Sequence, residues 1–155
     1  MNFRLAGLIT LVIGALALGY AYYTQYDLLY RPCEICQLER WPYRIVIVLG
    51  VLAVLLGRDV ARVLVALAGL AMLANVGISF MHVGVELNWW ASPFPECNDI
   101  LMPGAPLPAT PGISCARQVF PVSWLPVSMT QMDFIGSVLF TILLFFMASR
   151  SEKRT

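Results

Sequence analysis

Four long apolar segments limit what this chain can fold into more than any other feature. They comprise residues 5–23, 45–56, 60–85 and 134–148. A bilayer core of about 30 Å is crossed by about 20 helical residues. The first and third segments have that length, and the fourth reaches it together with residues 129–133. The second reaches it if its helix begins near Cys33 or Glu34. The segments therefore predict a bundle of membrane-spanning helices.

The amino-acid composition agrees with a lipid environment. Hydrophobic residues make up 59% of the chain and charged residues 12%, whereas soluble domains are about half apolar and one quarter charged. The net charge of +1 and the lack of a large basic cluster argue against nucleic acid as a partner. We therefore predict one all-α integral membrane domain, a bundle of four transmembrane helices with a long outer loop carrying a short interfacial helix. The predicted helices span residues about 5–24, 42–57, 60–82 and 131–148, and the predicted outer loops span about 25–41 and 83–130.

Two local features leave alternatives open. Pro42 either lies inside a second helix that begins near the cysteines, where it removes the bond to the Leu38 carbonyl, or ends a short interfacial turn. The first apolar run ends in a small-x-small trio, Gly19-Tyr20-Ala21, as signal peptides do. The run is nevertheless too long for the usual apolar core of a signal peptide, so we interpret it as a retained first helix.

The placement of Lys and Arg predicts the orientation. One side of the predicted bundle collects Arg4, Arg58, Arg62, Arg150, Lys153 and Arg154, and the other collects Arg31, Arg40, Arg44 and Arg117. Because cytoplasmic ends are enriched in Lys and Arg, the first side is the predicted cytoplasmic one, with both termini inside. All four cysteines then lie on the outer side, where an oxidising environment permits disulfides.

The cysteines are the main candidates for chemistry. Cys33 and Cys36 form a Cys-x-x-Cys motif, and Cys97 and Cys115 lie in the long loop, which also holds eight of the ten prolines. The motif suits a redox disulfide, a structural disulfide, or half of a zinc site completed by the other two cysteines. A bridge over two residues is prone to strain and therefore labile, which favours redox chemistry.

Two further polar residues lie near the motif. Arg40 follows Cys36 by one helical turn, and both a guanidinium and a helix N-terminus stabilise a thiolate. The alternative for Arg40 is an interfacial anchor, or a partner for Glu39 or Asp27. His82, the single histidine, ends the third apolar segment on the same side. It could donate a hydrogen bond or a proton near Cys36. Asn75 and Ser79, on the same helix face, are expected to form helix–helix hydrogen bonds.

Taken together, these residues resemble the DsbB-type quinone-dependent disulfide oxidoreductases of bacteria. The resemblance covers nearly the whole chain. Its residues are Arg31-Pro32-Cys33-Glu34-Ile35-Cys36, Glu39-Arg40, His82, Ser92-Pro93-Phe94, Cys97 and Cys115. The departures are the short, proline-rich stretch between Cys97 and Cys115, and Trp41-Pro42 after Arg40.

The resemblance implies an electron relay in the bacterial inner membrane. It implies that Cys97 forms a mixed disulfide with a DsbA-like periplasmic thioredoxin-fold oxidase, and that Cys115 resolves it and can also bridge to Cys33. Cys36 would be the thiolate that meets a quinone, ubiquinone or menaquinone, with Arg40 and His82 beside the quinone. No metal is expected.

Two other functions remain as alternatives. One is a membrane scaffold without enzymatic activity, stapled by two disulfides or holding zinc. The other is a relative with related chemistry and a different substrate or direction, as in the vitamin K epoxide reductase-like group.

Overall fold

Four helices make up the described part of the fold. The structure, a computed structural model, describes residues 3–56, 58–94, 115–116, 118–120, 124 and 126–150. Within these residues lie α1 (Phe3–Tyr26), α2 (Glu34–Leu55), α3 (Arg58–Glu86) and α4 (Met129–Arg150), with no strand. The all-helical prediction is therefore confirmed for the described part of the chain. The predicted interfacial helix has no counterpart there, and most of its loop, residues 95–114, lies outside the described residues.

Three of these helices are long and apolar enough to cross a membrane. The qualifying stretches are Arg4–Tyr26, Asp59–Glu86 and Met129–Arg150. They fall in α1, α3 and α4, each of which extends beyond the predicted boundaries. α2 carries more polar residues in its first turns and is not among the three.

α2 begins at Glu34 rather than near residue 42, where we predicted its boundary. Cys33 is the N-cap, and its Sγ accepts a hydrogen bond from the Cys36 backbone N–H at 3.2 Å. This bond satisfies one of the amide groups that a helix start leaves without a partner. Pro42 lies buried inside the helix. Of the two alternatives for this proline, the structure has the one in which the helix continues through it.

The bundle is built by sequential packing, α1 on α2, α2 on α3 and α3 on α4. Its apolar core includes Val46, Ala53, Ala61, Val65, Ala68, Met72, Phe140 and Leu144. Small residues in this set let the helices approach closely, as is usual in membrane bundles.

The outer surface of the bundle is unusually apolar, and several polar side chains are buried inside it. Fully buried polar residues include Thr10, Asn75, Ser79 and Ser137. Large apolar side chains face outward, with Leu16 69% exposed and Leu139 63% exposed. A soluble protein would leave no such continuous apolar exterior in water, but hydrocarbon covers it without cost. The exterior of the bundle is therefore suited to lipid.

A glycine determines how closely α1 and α2 approach. A Cβ added at Gly50 would lie 2.8 Å from the Leu11 backbone nitrogen of α1. We expect Gly50→Ala to lower the free energy of unfolding by about 1–3 kcal/mol, because the two backbones must move apart. The measurement is denaturant unfolding in detergent. Gly19→Ala is the control, since nothing lies within 4 Å of a Cβ at that position. Equal stability of the two variants would contradict the close packing.

Candidate active site

The two thiols of the Cys-x-x-Cys motif lie side by side at the start of α2. Cys33 and Cys36 are free cysteines, and their Sγ atoms are 2.7 Å apart. A disulfide bond is about 2.05 Å long, so little motion separates the dithiol from the bridged state. Cys33 is buried, while Cys36 is partly exposed toward a cavity. The arrangement is suited to reversible making and breaking of one bond.

Hydrogen bonds favour a thiolate at Cys33. Cys33 Sγ is hydrogen-bonded to the Cys36 side chain, which has the larger effect, and to the Cys36 backbone N–H. These two hydrogen bonds hold the pKa of Cys33 below the usual cysteine value. Burial acts in the opposite direction and does not overcome them. Since the thiolate is the reactive form of cysteine, the dithiol state is prepared for reaction.

His82 reaches the thiol pair from α3. Its Nε2 lies 3.6 Å from Cys33 Sγ, and its Nδ1 lies 2.9 Å from Glu39 Oε1 on α2. Both His82 and Glu39 are buried. The predicted proximity of His82 to the motif is present in the structure, and the imidazole forms the link between a carboxylate and a thiol.

Arg40 turns toward α1. Its Nη1 donates to Gln25 Oε1 at 2.5 Å, its Nη2 donates to the Ala21 carbonyl at 3.4 Å, and its guanidinium lies over the Tyr22 ring. The partners suggested by the sequence, Glu39 and Asp27, do not appear among these contacts. Arg40 nevertheless lines the same cavity as the two thiols.

A cavity of about 610 Å³ opens beside the thiols. Its apolar wall comes from α1 and from the segment before α4. Its polar lining contains Cys33, Cys36, Glu39, Arg40, Tyr43, His82 and Asp133. Ligand pockets have volumes of about 300–1,000 Å³, mostly apolar walls and a few convergent polar groups. The cavity therefore has the size and lining of a site for a small, mostly apolar ligand that carries polar groups.

Cys115 lies against the motif. It is 2% exposed and packs in one buried cluster with Cys33, Ile35 and Val85. It is disulfide-bonded, and its partner cysteine lies outside the described residues. Cys97, the fourth predicted site residue, also lies outside them. Two redox-capable cysteine sites thus meet in one cluster.

The Ser-Pro-Phe motif gains a structural role. Phe94 packs against the cysteine cluster, and its backbone N–H donates to Ser92 Oγ at 3.1 Å. This local turn holds Phe94 against the cluster that contains the buried sulfurs of Cys33 and Cys115.

The geometry fits a disulfide better than a metal centre. Cys33, Cys36 and His82 offer ligand atoms within 4.8 Å of one another. Sulfur ligands of one tetrahedral zinc ion are about 3.8 Å apart, given Zn–S bonds of about 2.3 Å. The two sulfurs would have to separate from 2.7 Å to bind it together. Cys115, being disulfide-bonded, offers no thiolate for the four-cysteine zinc site considered from the sequence.

A polar cluster deeper in the bundle did not emerge from sequence reasoning. Tyr43 OH donates to Asp133 Oδ1 at 2.8 Å, and Asn75 Nδ2 donates to Asp133 Oδ2 at 3.2 Å and to Ser137 Oγ at 2.8 Å. The helix–helix role predicted for Asn75 is confirmed. Ser79 instead donates to the Asn75 carbonyl within its own helix. The spacing of Cys36, Glu39 and Tyr43 at i, i+3 and i+7 was the available signal, because it puts them on one face of α2.

Comparison with known proteins gives one family. A family profile described as "Disulfide bond formation protein DsbB" matches residues 3–147. The chain is also 28% identical over 85 residues to RP370, an uncharacterised protein of Rickettsia prowazekii (strain Madrid E). That alignment covers 55% of this chain and 49% of RP370, so the chain spans about half the length of this relative. No solved structure matches.

Proposed function

This chain belongs to the DsbB family of disulfide bond formation proteins, and from that premise we propose that it is a membrane thiol–disulfide oxidoreductase. The observation that carries the proposal is the pair of Cys33 and Cys36 sulfurs 2.7 Å apart, with His82 against them and a cavity beside them. The pair cycles between the dithiol and one disulfide bond, releasing or accepting two electrons.

The electron donor is a reduced DsbA-like periplasmic oxidase with a thioredoxin fold. One of its thiolates attacks the sulfur of Cys97 in a Cys97–Cys115 disulfide, so a mixed disulfide forms and Cys115 leaves as a thiolate. Cys115 then attacks Cys33 in the Cys33–Cys36 disulfide, which releases Cys36 as a thiolate. The second partner thiol then attacks the mixed disulfide and releases Cys97. Cys97 attacks Cys115 in the Cys33–Cys115 bridge and releases Cys33. The partner is then oxidised, and Cys33 and Cys36 are both reduced. The packing of Cys115 in one cluster with Cys33 supports this route.

The electron acceptor is a quinone, ubiquinone or menaquinone, held in the cavity beside Cys36. When bound, a quinone accepts two electrons and two protons. The volume of about 610 Å³ and the apolar wall from α1 fit such a ring, Arg40 offers N–H groups to its polar edges, and His82 lines the same cavity. Arg40, anchored on Gln25 and Ala21, keeps a positive charge at the cavity wall near Cys36.

Redox energetics support a strong acceptor. A DsbA-like partner has a reduction potential near about −120 mV, and ordinary structural disulfides lie below about −300 mV. Passing two electrons from the partner to such a disulfide would be uphill by roughly 8 kcal/mol, taking about 30 mV as about 1.4 kcal/mol. A membrane quinone provides the sink that a structural disulfide lacks.

The proposed setting is the bacterial inner membrane. All four helices cross it, both termini are cytoplasmic, and the cysteines face the periplasm. The apolar exterior of the bundle and the three long apolar helices support this arrangement. A membrane-impermeant thiol reagent should label the reduced cysteines from the periplasmic side. Labelling only after the cells are broken open would reverse the orientation.

Counting thiols tests the redox proposal directly. We expect fully reduced protein to lose the Cys33 and Cys36 thiols when a soluble quinone analogue is added, because the two sulfurs form a disulfide. Thiol titration, with mass spectrometry of the bridged peptide, is the measurement. The Cys33→Ser variant is the control, since it has no partner sulfur for Cys36. Unchanged thiol content in the parent protein would count against a quinone-coupled pair.

A zinc-holding scaffold is the second candidate, and the approach of Cys33, Cys36 and His82 is the observation in its favour. Metal analysis of the purified protein separates the two functions. Stoichiometric zinc that leaves when His82 is replaced would favour the scaffold.

A further inference from the structure

Glu39 has no assigned part in the redox relay, yet it lies at its centre. Glu39 is 7% exposed, and its Oε1 lies 2.9 Å from Nδ1 of His82. A buried carboxylate is costly unless it is paired, and such residues inside membrane proteins commonly serve function. The pairing leaves the opposite ring nitrogen of His82 directed at Cys33 Sγ at 3.6 Å. A carboxylate, an imidazole and a thiol therefore stand in series.

The chemistry of the carboxylate dictates the tautomer of the imidazole. An ionised carboxylate has acceptor oxygens only, so Nδ1 carries the proton and donates it to Oε1. Nε2 then presents its lone pair to the thiol. In catalytic triads, an acid orients a histidine in the same way, and the histidine then takes a proton from the nucleophile.

We propose that Glu39 is a positioning residue that makes His82 the general base for the Cys33–Cys36 dithiol. A thiol proton moves to Nε2 of His82, and the imidazolium is stabilised by the Glu39 carboxylate. The thiolate keeps two hydrogen bonds at Cys33, from the Cys36 thiol at 2.7 Å and from the Cys36 N–H at 3.2 Å. No electron moves in this step, and the proton stays within the chain.

The place of this step in catalysis rests on the proposed function, but the proton transfer is measurable without it. Reduced protein with neither quinone nor partner is sufficient. Failure of the relay would leave the proton transfer intact, and failure of the proton transfer would leave the relay without its base. The two outcomes are therefore distinguishable.

Other ionisable groups near His82 come from three of the packed elements. On the α2 side lie the two thiols, Glu39, Arg40 and Tyr43, and on α4 lies Asp133, which interacts electrostatically with both Glu39 and His82. On α3 itself lies Glu86, which is buried and accepts from Gln131. Among the residues that the structure describes, Glu39 is the carboxylate that hydrogen-bonds to the ring of His82. The Arg40 guanidinium donates a hydrogen bond to Gln25 of α1.

The single histidine makes the tautomer directly observable. His82 is the one histidine in the sequence, so protein labelled with ¹⁵N-histidine gives ring signals from this residue alone. We expect the reduced protein to show a protonated Nδ1, either as the neutral Nδ1–H tautomer or as the imidazolium. A neutral ring protonated at Nε2 would overturn the proposal, because that nitrogen could not accept the thiol proton.

The pH profile of thiol alkylation provides the second test. The rate of alkylation of the Cys33–Cys36 peptide by iodoacetamide is measured against pH on reduced full-length protein. We expect Glu39→Gln to move the midpoint upward by about one pH unit, which is about tenfold less thiolate at a given pH below it. Glu34→Gln is the matched control, because Glu34 lies exposed in the first turn of the same helix. Glu39→Asp should recover part of the shift.

A purely structural role for Glu39 predicts a different pattern. If Glu39 acts through His82, Glu39→Gln should change nothing further once His82→Ala has been made. An equal upward shift in both backgrounds, or no shift in either, would overturn the proposal. The same shift in Glu34→Gln would also overturn it, since charge alone would then explain the effect.

Discussion

Cys36→Ser is expected to abolish quinone reduction by this protein. A serine hydroxyl forms no disulfide, so the electron pair arriving at Cys33 has no route onward. We expect the rate, measured with reduced thioredoxin-like partner and added quinone, to fall by about a thousandfold or more, as when an essential nucleophile is removed from an enzyme. The resemblance to the family assigns Cys36 this part, and its partly exposed position on the cavity wall supports the assignment.

The neighbouring exposed residue offers a matched control for this experiment. Gln37→Ser introduces the same side chain one position further along α2, where residue 37 faces outward. It should retain the parent rate. A Cys36→Ser protein that is folded and still reduces quinone at the parent rate would remove Cys36 from the relay.

Cys115→Ala is expected to make the mixed disulfide between Cys97 and the partner accumulate. With its resolving partner gone, Cys97 remains as a thiol that attacks the disulfide of an oxidised partner, and one partner sulfur leaves as a thiolate. The product is a covalent adduct visible on a non-reducing gel and lost on reduction. We expect it to rise from trace level to a major fraction of the protein, because the buried Cys115 is no longer present to attack Cys97 and re-form their disulfide, which leaves the second partner thiol as the remaining route of release.

A double variant locates the adduct. Cys97→Ala with Cys115→Ala should form none, since the attacking sulfur is absent. Adduct formation in the double variant would assign the partner bond to Cys33 or Cys36 and would reverse the proposed order of the two cysteine pairs.

Much of the fold follows from the sequence, because lipid demands long apolar helices and leaves a clear pattern. The runs at 5–23 and 60–85 lie in α1 and α3. The start of α2 was harder to predict, because a proline inside a helix removes a backbone hydrogen bond, so Pro42 suggests that the helix begins there. The cap by Cys33, which depends on a sulfur–amide contact, moves the start to Glu34.

The candidate site was only partly predictable for a different reason. Motif spacing puts Cys33, Cys36 and Arg40 on one helix and indicates their shared face. It carries no information about how α2 and α3 are rotated against each other. With the rotation found in the structure, Glu39 hydrogen-bonds to His82 of α3, and Arg40 hydrogen-bonds to Gln25 of α1. A buried acid next to an arginine suggests an ion pair between them, and packing has separated the two.

The stoichiometry of the reaction shows whether electrons pass from the partner to a quinone through this protein. Purified protein in lipid nanodiscs, with excess quinone and a limiting amount of reduced thioredoxin-like partner, is followed for quinol formed and for partner disulfide formed. We expect one quinol for each partner disulfide, in a reaction that requires all four cysteines. Partner oxidation without quinol formation, or no oxidation at all, would contradict it.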